Sequence, residues 1–138
     1  MILLDANVIL DIWDPDPVWY AWSSEQLRRL SFLHEMAINP IVYSEISVSF
    51  ATSKALDEKL ERLGVIVISI PRNAAFLAGK AYVLYRRQGG TKGNVLADFF
   101  IGAHAAVLGC PLLTRDTRRY AAYFPNVHLI APDSHLLK

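Results

Sequence analysis

The sequence predicts an α/β domain built on a parallel sheet with helices over both faces. Three observations lead there. Short apolar runs recur along the chain and are continuous rather than alternating, as in strands buried on both sides. Segments with apolar residues three to five apart, the spacing of helices, lie between them. The length of 138 residues suits one domain, and 53% hydrophobic against 20% charged residues excludes intrinsic disorder. Strands that alternate with helices call for parallel pairing.

In chain order, Ile2–Leu4 is a strand that ends on Asp5, and a short helix over 7–13 follows. Trp22, Leu27, Leu30, Leu33 and Met36 predict a helix over 18–35, with Pro17 suited to a first helical position. Ala37–Asn39, stopped by Pro40, is a short strand. Val42, Ile46 and Phe50 repeat every fourth residue over 41–51. Residues 53–63, SKALDEKLERL, form a helix with Ser53 as N-cap and Gly64 as stop. The β-branched run 65–70 is a strand closed by Pro71. Residues 73–87 carry Leu77, Ala81 and Leu84 and end in Arg86 and Arg87, which suit the negative end of a helix. The loop GGTKG at 89–93 opens no helix with Gly-Lys-Ser/Thr, so it is not a phosphate-binding P-loop. A helix over 94–108 is apolar nearly all round. Leu112–Thr114 is a strand, 117–124 a short helix, and Val127–Ile130 the last strand. No repeat or linker interrupts the chain, and 1–138 reads as a single domain.

Composition removes several function classes. The single cysteine, Cys110, excludes an intrachain disulfide and a Cys-rich zinc site. The longest stretch without Asp, Glu, Lys or Arg is the 16 residues 99–114, interrupted by His104 and Pro111. A membrane span needs about 20 apolar residues. The start, MILLDANVIL, lacks the basic opening of a secretory signal. A soluble cytoplasmic protein is expected. The net charge of +1 hides an asymmetry: residues 1–69 carry 5 basic and 10 acidic side chains, residues 70–138 carry 9 and 3. The basic half suits a polyanion, and the acidic half has carboxylates in excess of its cations.

Four of the acids stand out. In open α/β sheets the ligand crevice lies beyond the carboxyl ends of the strands. Asp5 directly follows the first strand, and Asp116 lies two residues past Leu112–Thr114. Each could instead be a helix N-cap. Asp98 sits in VLADFFIGAHAAVLG with no Lys or Arg within four residues. A buried carboxylate without a partner costs several kcal/mol or gives up its charge. Its partner must come from elsewhere, and a metal ion is the obvious kind; a neutral acid bonded to backbone is the alternative. Gly102, one turn on, leaves room beside it. Glu45 lies between Ile41 and Val48 on one stripe, at the edge of an apolar face. Four acids at one crevice cannot all ionise without a cation. Hard divalent ions take oxygen ligands, polarise phosphoryl oxygens and generate hydroxide from water. The chemistry so implied is metal-assisted phosphodiester hydrolysis.

The succession MILLD5-A-N7-V, Y43-S-E45-I, D98-FFIGAHA and LLT114-R-D116 resembles PIN-domain nucleases, and more narrowly the VapC toxins of type II toxin–antitoxin systems. It runs from Ile2 to about Pro132. The resemblance implies a three-layer α/β/α sandwich around a five-stranded parallel sheet and cleavage of RNA with Mg²⁺ or Mn²⁺. It also implies a small antitoxin partner and a homodimer. Asp5, Glu45, Asp98 and Asp116 carry over as catalytic acids, with Asp5, Asp98 and Asp116 as metal ligands. Asn7 and Thr114 carry over as polar groups behind them. Ala6 stands where Thr or Ser is frequent. A catalytically silent PIN-like binding module is the main alternative. A receiver-type phosphoaspartate protein would need a strand ending in Lys, and none does.

Other residues are read more plainly. His104 is six residues past Asp98, about 240° round a helix, and is expected to be packed or interfacial. His34, His128 and His135 share no zinc spacing. Cys110 reads as a small hydrophobe. Asp11 could edge the site, and Asp14 and Asp16 flank Pro15 as turn acids. Lys92, Arg115, Arg118 and Arg119, beside Arg86 and Arg87, are the candidate RNA phosphate contacts. Trp13, Trp19 and Trp22 are candidate walls of a partner groove, with plain core as the alternative.

Overall fold

The computed structural model describes residues 1–93 and 95–132; Asn94, where the helix over 94–108 was expected to start, and His135 lie outside them. The strands are β1 (Ile2–Leu4), β2 (Met36–Ile38), β3 (Val65–Val67), β4 (Leu112–Leu113) and β5 (Leu129–Ile130). The helices are α1 (Ala6–Trp13), α2 (Tyr20–Ser31), α3 (Pro40–Ile46), α4 (Ser53–Leu63), α5 (Arg72–Arg87), α6 (Val95–Leu108) and α7 (Arg118–Tyr123). The five strands form one parallel sheet in the order β3-β2-β1-β4-β5. The chain thus steps outward from β1 to β3, then returns to the other side of β1 as β4. That reversal opens a crevice between the carboxyl ends of β1 and β4, where such sheets bind ligands.

Burial explains the layering. Ile2, Leu3 and Leu4 in β1 and Met36, Ala37 and Ile38 in β2 are all buried, although successive side chains point to opposite faces. Both faces of the central strands are therefore covered, as the apolar runs predicted. β3 departs from that expectation. It ends at Val67 rather than 70, and Ile66 and Val67 are 42% and 44% exposed, because β3 is an edge strand. Past Val67, Ile68 still donates its N–H to Ile38 O at 2.9 Å.

Other local differences have local causes. The helix expected over 18–35 is only Tyr20–Ser31. Asp16 Oδ1 accepts from the N–H groups of Val18 and Trp19, so a turn containing Pro15 and Pro17 precedes the helix. Leu33, placed on its apolar stripe by spacing, is 83% exposed beyond the helix end. The helix over 41–51 stops at Ile46 and tightens into a 3₁₀ turn at Ser47–Ser49. Ser44 and Ser47 hydroxyls donate back to Ile41 O and Ser44 O, which competes with regular helix geometry. The N-cap of α4 is Thr52, accepting from Ala55 N–H, rather than Ser53. Gly64 does stop α4, at φ 79°, a left-handed conformation that glycine adopts without a Cβ penalty. In α6, Gly102 makes room for the Phe124 ring and not for Asp98: a Cβ there would collide with that ring.

Candidate active site

Asp5 is the fixed point of the crevice. Its N–H donates to Leu113 O at 3.0 Å, which ties the end of β1 to β4. The residue is 6% exposed, and both carboxylate oxygens accept hydrogen bonds. Oδ1 accepts from Ala6 N–H at 2.8 Å, so Asp5 is indeed the N-cap of α1. Oδ2 accepts from the Thr114 hydroxyl at 2.8 Å, the Tyr120 hydroxyl at 2.9 Å and the Asn7 amide at 3.4 Å. One oxygen of Asp5 thus caps α1, while the other faces the side chains of Thr114, Tyr120 and Asn7. Burial raises the Asp5 pKa, with the Asp98 charge adding to it, against the lowering effect of these hydrogen bonds.

The polar groups expected behind the acids converge here. Thr114, fully buried at the end of β4, also accepts from Asp116 N–H at 3.1 Å. Asn7 Nδ2 reaches Thr114 Oγ1 at 3.3 Å, and its Oδ1 accepts from Arg115 N–H at 3.4 Å. Sequence reasoning missed Tyr120. Its only signal is its place one turn past Asp116, on the face of α7 that points inward.

The other acids reach the same crevice from different elements. Asp98 lies in the first turn of α6 with its side chain 28% exposed. Burial raises its pKa and Asp116 raises it further, while Arg119 opposes both. Glu45, on α3, faces solvent but is crowded by protein; desolvation, then the charges of Asp5 and Asp98, push its pKa up to about 7. Asp116 is exposed, and α7 takes Thr117 rather than Asp116 as its cap. The acids thus perturb one another, as carboxylates sharing one site do.

Asp98 has a partner that the sequence left open. The Arg119 guanidinium donates to its Oδ2. Arg115, expected as a phosphate contact, is engaged elsewhere. Its Nε and Nη2 donate to the two oxygens of Asp11 at 2.8 and 3.0 Å, and the Ser23 hydroxyl donates to Asp11 Oδ2 at 2.8 Å. Arg115 and Arg119, with Lys92, Asp116, Thr117 and Arg118, line a pocket of about 300 Å³ beside the acids.

The donor set is all oxygen, which fits a hard divalent cation and does not fit zinc. Among the described residues no three His, Cys, Asp or Glu side chains alone form a cage for an ion. Mg²⁺ takes one or two carboxylates and keeps several waters, so paired acids at a wet crevice suit it. His104 is no ligand candidate. It is fully buried, burial lowers its pKa, and its Nδ1 lies 3.3 Å from the Asn39 amide. Asn39 Oδ1 caps α3 through Ile41 and Val42 N–H, which leaves its NH₂ as donor to His104.

The three tryptophans separate. Trp13 packs edge-on to Phe50 at 5.5 Å under the Lys59 ammonium, in a groove of about 580 Å³ that also has Leu10, Asp14 and Asp16 on its walls. Trp19 lies under the Arg115 guanidinium at 5.6 Å. Trp22 packs on the core beside Trp19, outside the groove. A second groove, along the open side of β3 and lined by Asp57, Leu60 and Val65–Val67, is two strands away from β1.

Comparison with known proteins agrees with this geometry. The PIN domain family model matches residues 2–125. VapC ribonuclease Y4jK of Sinorhizobium fredii is 27% identical over 128 residues, covering 88% of this chain and 91% of that protein. Two solved structures share the fold. The VapBC2 structure from Rickettsia felis, bound to a promoter DNA fragment, contains a chain with TM-score 0.70 at 24% identity, with 96% of this chain and 100% of that one covered. VapBC-1 from nontypeable Haemophilus influenzae gives TM-score 0.70 at 23% identity and full coverage of both chains. With a family match over nearly the whole chain and the acids gathered at the reversal of its sheet, this chain belongs to the PIN domain family.

Proposed function

We propose that the chain is a divalent-cation-dependent ribonuclease and the toxin of a toxin–antitoxin pair. The observation that carries this is the Asp5 carboxylate. It is buried and held by Thr114, Tyr120 and Asn7; it feels the charge of Asp98, and Glu45 feels its charge. Acids raised in pKa by burial and by one another's charges, gathered at a crevice, mark a candidate functional site. The name of the Sinorhizobium relative, a VapC ribonuclease, supports the reaction. The names of the VapBC neighbours support a paired partner.

In this reading Asp5, Asp98 and Asp116 hold Mg²⁺ or Mn²⁺, which would polarise the scissile phosphate and acidify a water. Thr114, Asn7 and Tyr120 fix Asp5 in one orientation. Glu45, with a pKa of about 7, can take the proton of the attacking water near neutral pH. Lys92, Arg118 and Arg119 contact RNA phosphates; Arg115 holds its loop through Asp11. The Trp13–Phe50 groove, acidic on one wall, would take the antitoxin through an apolar and basic segment. Phe76, Leu77, Val83 and Leu84 leave an apolar stripe exposed on α5, which suits a homodimer.

The test is RNA cleavage with Mg²⁺, with Mn²⁺ and with chelator, followed by sequencing of the new 5′ ends. Cleavage that survives chelation refutes metal dependence. The Arg119–Asp98 pair favours one rival, a silent module whose acid is neutralised by its own arginine. RNA binding with no cleavage in either metal establishes that rival.

A further inference from the structure

Arg119 is placed between two environments of opposite charge. Its guanidinium donates to Asp98, and no other ion pair among the described residues involves Asp5, Glu45, Asp98 or Asp116. The same side chain lines the basic pocket with Lys92, Thr117 and Arg118. Both partners are partly open to water, at 24% for Arg119 and 28% for Asp98, so breaking the pair does not strand a charge in the interior. The neighbouring residue, Tyr120, anchors α7 by its bond to Asp5, so the backbone under Arg119 can stay fixed while the side chain turns.

A cation at Asp98 and a guanidinium on the same carboxylate repel each other. Each therefore weakens the other's hold on Asp98. The displaced guanidinium already borders a pocket that Lys92, Arg115 and Arg118 also line, and an anion there would gain it as a further cation. We propose that Arg119 is an exchangeable counter-ion: it neutralises Asp98 in the metal-free protein and, once a divalent cation takes Asp98, turns to a phosphate of the RNA, so that cation and RNA bind cooperatively. This rests on the ribonuclease reading above and adds to it a coupling between the two ligands. By linkage the effect is reciprocal: an anion that draws Arg119 into the pocket strengthens cation binding by the same factor.

The experiment measures Mn²⁺ binding to the full chain by calorimetry, without RNA, for wild type, Arg119→Gln and Arg119→Lys. Thermal melting of each variant checks that it is folded. Arg119→Gln should bind Mn²⁺ about tenfold more tightly, since the competing charge is gone, while Arg119→Lys should stay near wild type. Sulfate, as a phosphate mimic, should tighten Mn²⁺ binding several-fold in wild type, against a chloride control of equal ionic strength, and leave Arg119→Gln unchanged. Equal or weaker Mn²⁺ binding by Arg119→Gln overturns the exchange, and if wild type still cleaves RNA with Mn²⁺ the ribonuclease reading stands without it. A wild type that takes up no Mn²⁺ overturns both.

Discussion

Asp11 with Arg115 and Asp98 with Arg119 are the same chemistry at neighbouring places, and they are built differently. Asp11 is 3% exposed; Arg115 meets both its oxygens at 2.8 and 3.0 Å, and Ser23 fills a further lone pair. The fork geometry is complete, as in strong arginine–carboxylate pairs, and Asp11 lifts the Arg115 pKa further. Asp98 receives a single arginine N–H and keeps an open side. A fully satisfied pair holds structure, and a half-satisfied one at a crevice is free to exchange its partner. The sequence grouped Arg115 and Arg119 as one basic cluster, and the structure pairs them with different carboxylates in different geometry.

The comparison can be broken at either pair. Asp98→Asn should lower RNA cleavage by about a hundredfold or more, while metal-free melting stays near wild type, because a carboxylate with a raised pKa loses little when made neutral. Cleavage at the wild-type rate would remove Asp98 from the site. Arg115→Met leaves the buried Asp11 without its cation and should cost about 3 kcal/mol in urea denaturation. A cost near that of an exposed pair, below about 1 kcal/mol, would put Arg115 back among the RNA contacts.

Smaller effects sharpen the picture around Asp5 and Glu45. Tyr120→Phe removes one buried hydroxyl donor and should cost about 1 kcal/mol of stability and slow cleavage several-fold. A loss of stability with unchanged cleavage would reduce Tyr120 to packing. Glu45 supplies a pH signature. Its folded pKa of about 7 exceeds the ordinary 4.5, so the folded state holds the proton more tightly than the unfolded one. The stability so contributed is complete below pH 4.5 and is lost as pH rises through about 7. With chelator present, wild type should therefore lose stability across that window relative to Glu45→Gln in thermal melts. Parallel profiles would mean that neither desolvation nor the charges of Asp5 and Asp98 raise the Glu45 pKa.

Much of this was legible before any coordinates. Asp5 and Asp116 were placed at strand ends by the apolar runs Ile2–Leu4 and Leu112–Thr114, and the reversal of strand order brings those two ends together. Asp98 stood out because a lone acid in an apolar helix needs a partner, and it has one. The identity of that partner was hidden, since Arg119 lies 21 residues on and nothing local marks it. Tyr120 was hidden for the same reason, across 115 residues from Asp5.

By itself the sequence determined what short-range physics controls: the five apolar strands, the helices between them, the glycine stop at Gly64 and the acids at the ends of two strands. These depend on spacing and on backbone conformations that neighbouring residues set. Only the tertiary structure decided which strand lies at an edge, so that Ile66 and Val67 face water, and which arginine meets both oxygens of its carboxylate and which only one. Such choices turn on burial and on the count of hydrogen-bond partners at each carboxylate. Both are properties of segments brought together by the fold and are set by no local run of residues.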